Sequence, residues 1–146
     1  MNSCLICQKH DELNVGLIET EHWLLTHGPF ESQILGYVYL EPRRHLENWS
    51  EMTQQEVSEM GIQIQRVEKA LNNLLPLQRL YSLTISEAVS HIHVHLIPRL
   101  DGQDKKGLPL IEKATQQKTD KRNINEQEFN QFLQRLKEEL RAVVME

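Results

Sequence analysis

The stretch His91-Ile92-His93-Val94-His95-Leu96-Ile97 decides how the rest of the chain is read. Histidines at i, i+2 and i+4 alternate with apolar residues, and a period of two belongs to a β-strand. In a strand the three imidazoles share one face, each roughly 7 Å from the next. Ile92, Val94 and Leu96 then point the other way, into a core. On a helix the same spacing would scatter the histidines around the axis, and the β-branched residues between them favour a strand. One strand therefore presents a row of groups able to carry protons, bind metal or attack phosphorus. Two chemistries stay open at this point: a three-histidine metal site, or imidazoles acting as nucleophile and hydrogen-bond donor. The row spreads over roughly 13 Å, which converges poorly on one tetrahedral ion.

Working outward, residues 79–87 alternate as a strand that pairs with the histidine strand, as a hairpin or an antiparallel neighbour. Upstream the period changes. Thr53 and Glu56 make a capping box, Met52 and Val57 are placed as a hydrophobic staple, and Val57, Met60, Ile64, Val67, Leu71 and Leu74 form a stripe. A helix over 54–74, ending before Pro76, follows. Nearer the N-terminus, 13–19, 23–26 and 33–40 read as strands, the last ended by Pro42. Downstream, 101–123 is polar, rich in lysine, and reads as an exposed loop. A second helix starts at Asn125, with Glu128 closing a capping box and a stripe of Phe129, Phe132, Leu133, Leu136, Leu140 and Val143. The order predicts one α+β domain over 1–146, with its core in 4–99: an antiparallel sheet with helices on one face.

Composition narrows the partners. A net charge of -5 argues against nucleic acid or an anionic membrane. No apolar run approaches 18 residues, and the N-terminus lacks a charged region followed by an apolar stretch. A cytoplasmic protein is therefore expected, with Cys4 and Cys7 as thiols. Cys4-x-x-Cys7 alone fits a redox pair as well as a metal site.

The triad followed by Pro98-Arg99 resembles the histidine-triad (HIT) family, whose motif alternates three histidines with hydrophobic residues. The Cys4-x-x-Cys7 start, Gly36 ahead of Pro42-Arg43-Arg44-His45, the capped helix and the strand pair fall in the family's order over about residues 4–99. The resemblance implies a five-stranded antiparallel sheet with one long helix, a homodimer, and hydrolysis or transfer of nucleoside phosphates. It implies that His93 is the nucleophile and that His95 contacts phosphate or donates a proton, with dinucleoside polyphosphates, such as diadenosine tetraphosphate, or nucleoside phosphoramidates as substrates. By the same resemblance Cys4, Cys7, His45 and His91 match the structural zinc set of one branch. His91 would then turn towards the cysteines, leaving His93 and His95 free for phosphate. Glu87 and Arg99 are further candidates for substrate contact, while His10, His22 and His27 are expected at the surface.

Three departures bear on specificity. Ser86-Glu87 stands where the family often has Gly-Gln, the acidic residue that often meets ribose is replaced around His27–Pro29, and the familiar Asn-x-Gly loop is missing. A nucleotide-binding or sensing protein with little turnover is the alternative that these departures allow.

Overall fold

The computed structural model describes residues 3–12, 16–117 and 121–145. Five antiparallel strands build the sheet: β1 (Ile18–Glu19), β2 (Trp23–His27), β3 (Val38–Pro42), β4 (Leu77–Thr84) and β5 (Val94–Leu100). Their spatial order is β1-β2-β3-β5-β4. The helices are α1 (Leu5–His10), α2 (Gln54–Leu74), α3 (Leu108–Gln116) and α4 (Glu126–Ala142). This is the expected α+β fold, and among the described residues no helix is long and apolar enough to cross a membrane.

Alternation along the strands divides the molecule into two faces. Leu25, Val38, Leu40, Val94 and Leu96 enter one buried cluster with Val67, Ala70 and Leu71 of α2 and Phe132, Leu136 and Leu140 of α4. Residues one position away, Tyr37 and Ile97, join Leu110 and Ala114 of α3 in a second cluster on the opposite face. Helices therefore cover both faces, not one, and the core extends well beyond residue 99.

The 101–123 segment is not simply an exposed loop. Its lysines mask Leu110, Ile111 and Ala114, which share one side of α3; Pro109 in the first turn suits a helix start. The α2 capping box forms as expected, and Trp23 donates its indole N–H to the Glu56 carbonyl at 2.9 Å. Val57 is 46% exposed, while Met52 packs against the core. At α4, Asn125 caps the Glu128 N–H at 2.8 Å, while the Glu128 carboxylate accepts from the Asn125 side chain instead of its backbone.

Strand limits shift for identifiable reasons. The expected 33–40 strand begins only at Val38, because Gly36 sits at φ +86°, tight against Leu71 and Leu75 of the helix layer. Of the expected 13–19 strand, Ile18–Glu19 is present, and residues 13–15 lie outside the described residues. The 79–87 strand becomes Leu77–Thr84.

The largest shift concerns the triad. β3 pairs with β5 only from Val38↔Leu96 to Leu40↔Val94. Beyond that point the Pro42 carbonyl accepts from the His91 ring at 2.9 Å, and the Ile92 N–H goes to the Leu46 carbonyl at 2.7 Å. With its ladder partners diverted, the 91–93 segment runs off the sheet. Only His95 lies on a strand.

Candidate active site and metal cluster

Leaving the sheet frees the histidines to divide. His93 and His95 stay together, with ring centroids 4.9 Å apart. His91 turns away and is fully buried beside Cys4 and Cys7.

Hydrogen bonding fixes the form of His93. Its Nδ1 lies 2.9 Å from the His91 carbonyl, which can only accept, so Nδ1 carries the proton. In the neutral ring the lone pair is then on Nε2. The Ser86 hydroxyl accepts the His93 backbone N–H at 3.3 Å, and Ser86 itself adopts φ 53° at the bend leading into the triad. His95 Nδ1 lies 2.7 Å from the Tyr37 hydroxyl, and the Tyr39 ring stands edge-on to both imidazoles. Burial first, and the neighbouring His93 second, push His95 down to about 4, so it is neutral at pH 7.

Tyr39 and Glu41 on this face of β3, with Tyr37 just before the strand, form a polar row not expected from the sequence. Its signal was the alternation with Val38 and Leu40 in Gly36-Tyr-Val-Tyr-Leu-Glu41. Glu41 is buried with Lys9, His10 and Thr26 around its carboxylate. Burial raises its pKa, but His10 and Lys9 outweigh that and hold it below the usual carboxylate value.

Cys4, Cys7, His45 and His91 bring one donor atom each to within 4.8 Å of one another. The Nδ1 of His91 lies 3.5 Å and 3.4 Å from the two sulfurs, and His45 Nδ1 lies 3.4 Å from Cys7. Ordinary Zn–S and Zn–N bonds in a tetrahedron place sulfur and nitrogen about 3.6 Å apart, so the spacing fits such an ion. The far side of each ring fits too. His91 Nε2 donates to the Pro42 carbonyl and His45 Nε2 meets the Glu47 carboxylate at 2.9 Å, which turns both Nδ1 lone pairs inward. Burial raises the Cys4 thiol, but hydrogen bonds from Cys7 and His45 prevail and lower it towards thiolate. These residues can hold a metal ion. The four-residue group excludes His93 and His95, so the geometry does not form a three-histidine metal site.

The other candidates are less central. Glu87 is exposed on the 85–93 loop. Arg99 lies four residues beyond His95 on β5, roughly 13 Å along the strand. It lines a groove of about 340 Å³ with Arg79, Tyr81, Lys106 and Gly107, away from His93.

His10 and His27 are not surface residues. His10 packs against His91 and bonds Glu41. His27 donates to the Gly28 carbonyl at 2.8 Å, accepts the Gly36 N–H at 2.9 Å, and lies edge-on to Phe129 of α4. Its partners come from distant segments, which no local pattern announces. Burial, only partly offset by the Gly28 carbonyl, pushes His27 down to about 4. An unfolded histidine titrates near 6.5, so the unfolded chain takes up this proton first. Stability from neutral His27 is complete above that value and is lost as pH falls towards about 4. Between pH 7 and 4.5, the advantage of wild type over His27→Gln in urea unfolding should shrink by about 2 to 3 kcal/mol. An unchanged gap would refute the buried neutral imidazole.

The fold and the paired histidines define a histidine-triad protein. A HIT domain matches residues 17–102, more than half of the chain, and the protein belongs to the HIT family. Membership supports a role in nucleotide binding, hydrolysis or transfer. Among solved structures, a zinc-bound histidine-triad family protein from Mycobacterium smegmatis is similar, with 22% identity and a TM-score of 0.66, covering 95% of this chain and 94% of that one. A hypothetical histidine triad nucleotide-binding protein from Sulfolobus tokodaii has 18% identity and a TM-score of 0.67, covering 94% and 92%. A Hit-like protein from Bartonella henselae, described as involved in cell-cycle regulation, has 16% identity and a TM-score of 0.65, covering 95% and 97%. Curated protein sequences gave no match.

Proposed function

We propose that this protein is a nucleotide hydrolase or transferase that cleaves at the α-phosphate of dinucleoside polyphosphates, such as diadenosine tetraphosphate, or of nucleoside phosphoramidates. The observation that carries this reading is the His93 Nδ1–His91 carbonyl bond, which leaves the Nε2 lone pair open beside His95. Attack by Nε2 forms a P–N bond as the bond from the α-phosphorus to the leaving group breaks. The leaving group departs with that electron pair. Water then attacks the nucleotidyl-His93, releases the monophosphate and returns the imidazole. His95, neutral and adjacent, donates a hydrogen bond to a phosphate oxygen as charge builds there. Arg99, with Arg79 and Lys106, offers positive charge to the distal part of an anionic substrate.

The departure around His27–Pro29 has a physical reading. A Cβ on Gly28 would lie 2.5 Å from the Tyr37 ring, so no acidic side chain fits there. Ribose must therefore be met by other groups, which sets the specificity apart from relatives that carry the acid.

The metal reading is zinc in a structural role. It is supported by the two-thiolate, two-imidazole donor set and by the zinc-bound mycobacterial neighbour. Zinc would pin α1 to the His45 loop and to the start of the triad. We also infer a two-fold homodimer in the cytoplasm, built on α2, which leaves Val57 and Ile62 half-exposed. Sedimentation at the mass of one 17.2 kDa chain at micromolar concentration would overturn the dimer.

The test of function is a panel of labelled dinucleoside polyphosphates and phosphoramidates, scored for product and for a nucleotidyl adduct mapped to His93. Tight binding of a nucleoside monophosphate without product or adduct would instead make this a binding or sensing protein.

A further inference from the structure

We infer that Tyr37 is a positioning residue that sets the tautomer of His95, keeping its Nδ1 bare and presenting Nε2–H to the substrate phosphate. The inference rests on the reading of His95 as a phosphate contact.

The two imidazoles face different partners. His93 meets a carbonyl, which only accepts, so its proton must sit on Nδ1. His95 meets a phenol, which can donate one hydrogen. Burial raises the Tyr37 pKa further above neutrality, and Tyr39 adds to this by its charge and by a side-chain hydrogen bond. The hydroxyl therefore keeps its hydrogen, with His95 Nδ1 at 2.7 Å and Tyr39 as the competing acceptors. His95 is neutral and has a single proton to place. With the phenol donating to Nδ1, that proton lies on Nε2 and points towards substrate. The reverse arrangement would aim an Nε2 lone pair at phosphate oxygens, which are acceptors themselves. One imidazole is thus held as a nucleophile and its neighbour as a donor.

Precision comes from how the phenol is held. Tyr37 is fully buried, packed with Ile34, Ile97, Leu110 and Ala114, the last two supplied by α3. On its other side Gly28 leaves only the room the ring needs, and the Gly28 N–H bonds the Tyr37 carbonyl at 2.7 Å. Helix α3 thereby gains a purpose: it presses the tyrosine whose hydroxyl reaches His95.

The decisive measurement is nitrogen-15 NMR of the histidine rings at pH 7, on wild type and on Tyr37→Phe, which keeps the apolar ring and removes the hydroxyl. Wild-type His95 should be protonated at Nε2 with a bare Nδ1, and Tyr37→Phe should lose that single form. In turnover of a dinucleoside polyphosphate, Tyr37→Phe should lower kcat about tenfold with KM nearly unchanged, the scale of one hydrogen bond. Wild-type His95 protonated at Nδ1, or a spectrum unchanged by the substitution, would overturn the assignment. The wild-type spectrum alone decides if the variant does not fold. Failure of His93→Ala to stop turnover would remove the nucleotidyl-His93 mechanism, yet leave the tautomer result standing.

Discussion

Replacing His93 with alanine is expected to lower turnover at least about 10⁴-fold, because it deletes the atom that forms the covalent intermediate. The fold should survive. His93 lies outside the strands, is only partly buried, and its ring makes one hydrogen bond, to the His91 carbonyl. The nucleotidyl adduct should vanish with activity, while circular dichroism and melting stay close to wild type. His95→Ala should be milder, about 10²- to 10³-fold, since it removes a donor to a phosphate oxygen and leaves the nucleophile. The ranking matters more than either value. A His93→Ala protein that kept near wild-type turnover would exclude nucleophilic catalysis at this residue.

The site was legible in the sequence to the extent that its chemistry repeats at short range. Alternation in 91–97 correctly sends Val94 and Leu96 into the cluster with α2 and α4, while His93 and His95 pair on the other side. What that pattern could not show is where pairing stops. The segment keeps its extended alternation but loses its ladder, because Pro42 and Leu46 claim His91 and Ile92 from across the fold. Helix α3 was hidden for a different reason: four apolar residues among lysines give a weak stripe, and their meaning comes from Tyr37 and Ile97 on the sheet beneath. Tyr37 itself looked like ordinary strand filling. Only the long-range contact with His95, 58 residues away, reveals its role. His10 and His27 teach the same lesson, since contacts from distant segments take them off the expected surface: His10 onto Glu41, and His27 onto the Gly36 N–H and Phe129.

The metal cluster leads to the second large effect. As isolated, the protein should carry one equivalent of zinc, and a Cys4→Ser, Cys7→Ser double variant should carry essentially none by elemental analysis. Hydroxyls replace both thiolates, and two imidazoles alone do not close a tetrahedral site. Loss of about 3 to 5 kcal/mol, part of the folding energy that structural zinc supplies, should lower Tm by roughly 10 °C or more. The damage should begin at α1, which has six residues, one of them buried, and too little length to hold by itself. From there it reaches the chemistry by a defined route. The His91 ring belongs to the cluster, while its backbone carbonyl holds Nδ1 of His93. Lys9 and His10 of α1 also surround Glu41, next to Tyr39 on the catalytic face. Without metal the carbonyl is less firmly placed, so kcat should fall about three- to tenfold, the scale of one weakened hydrogen bond, and not collapse. Zinc that survives loss of both cysteines, yet disappears in His93→Ala, would move the metal into the triad and reverse the assignment. A double variant as inactive as His93→Ala, but still folded, would likewise give the cluster a direct part in the chemistry.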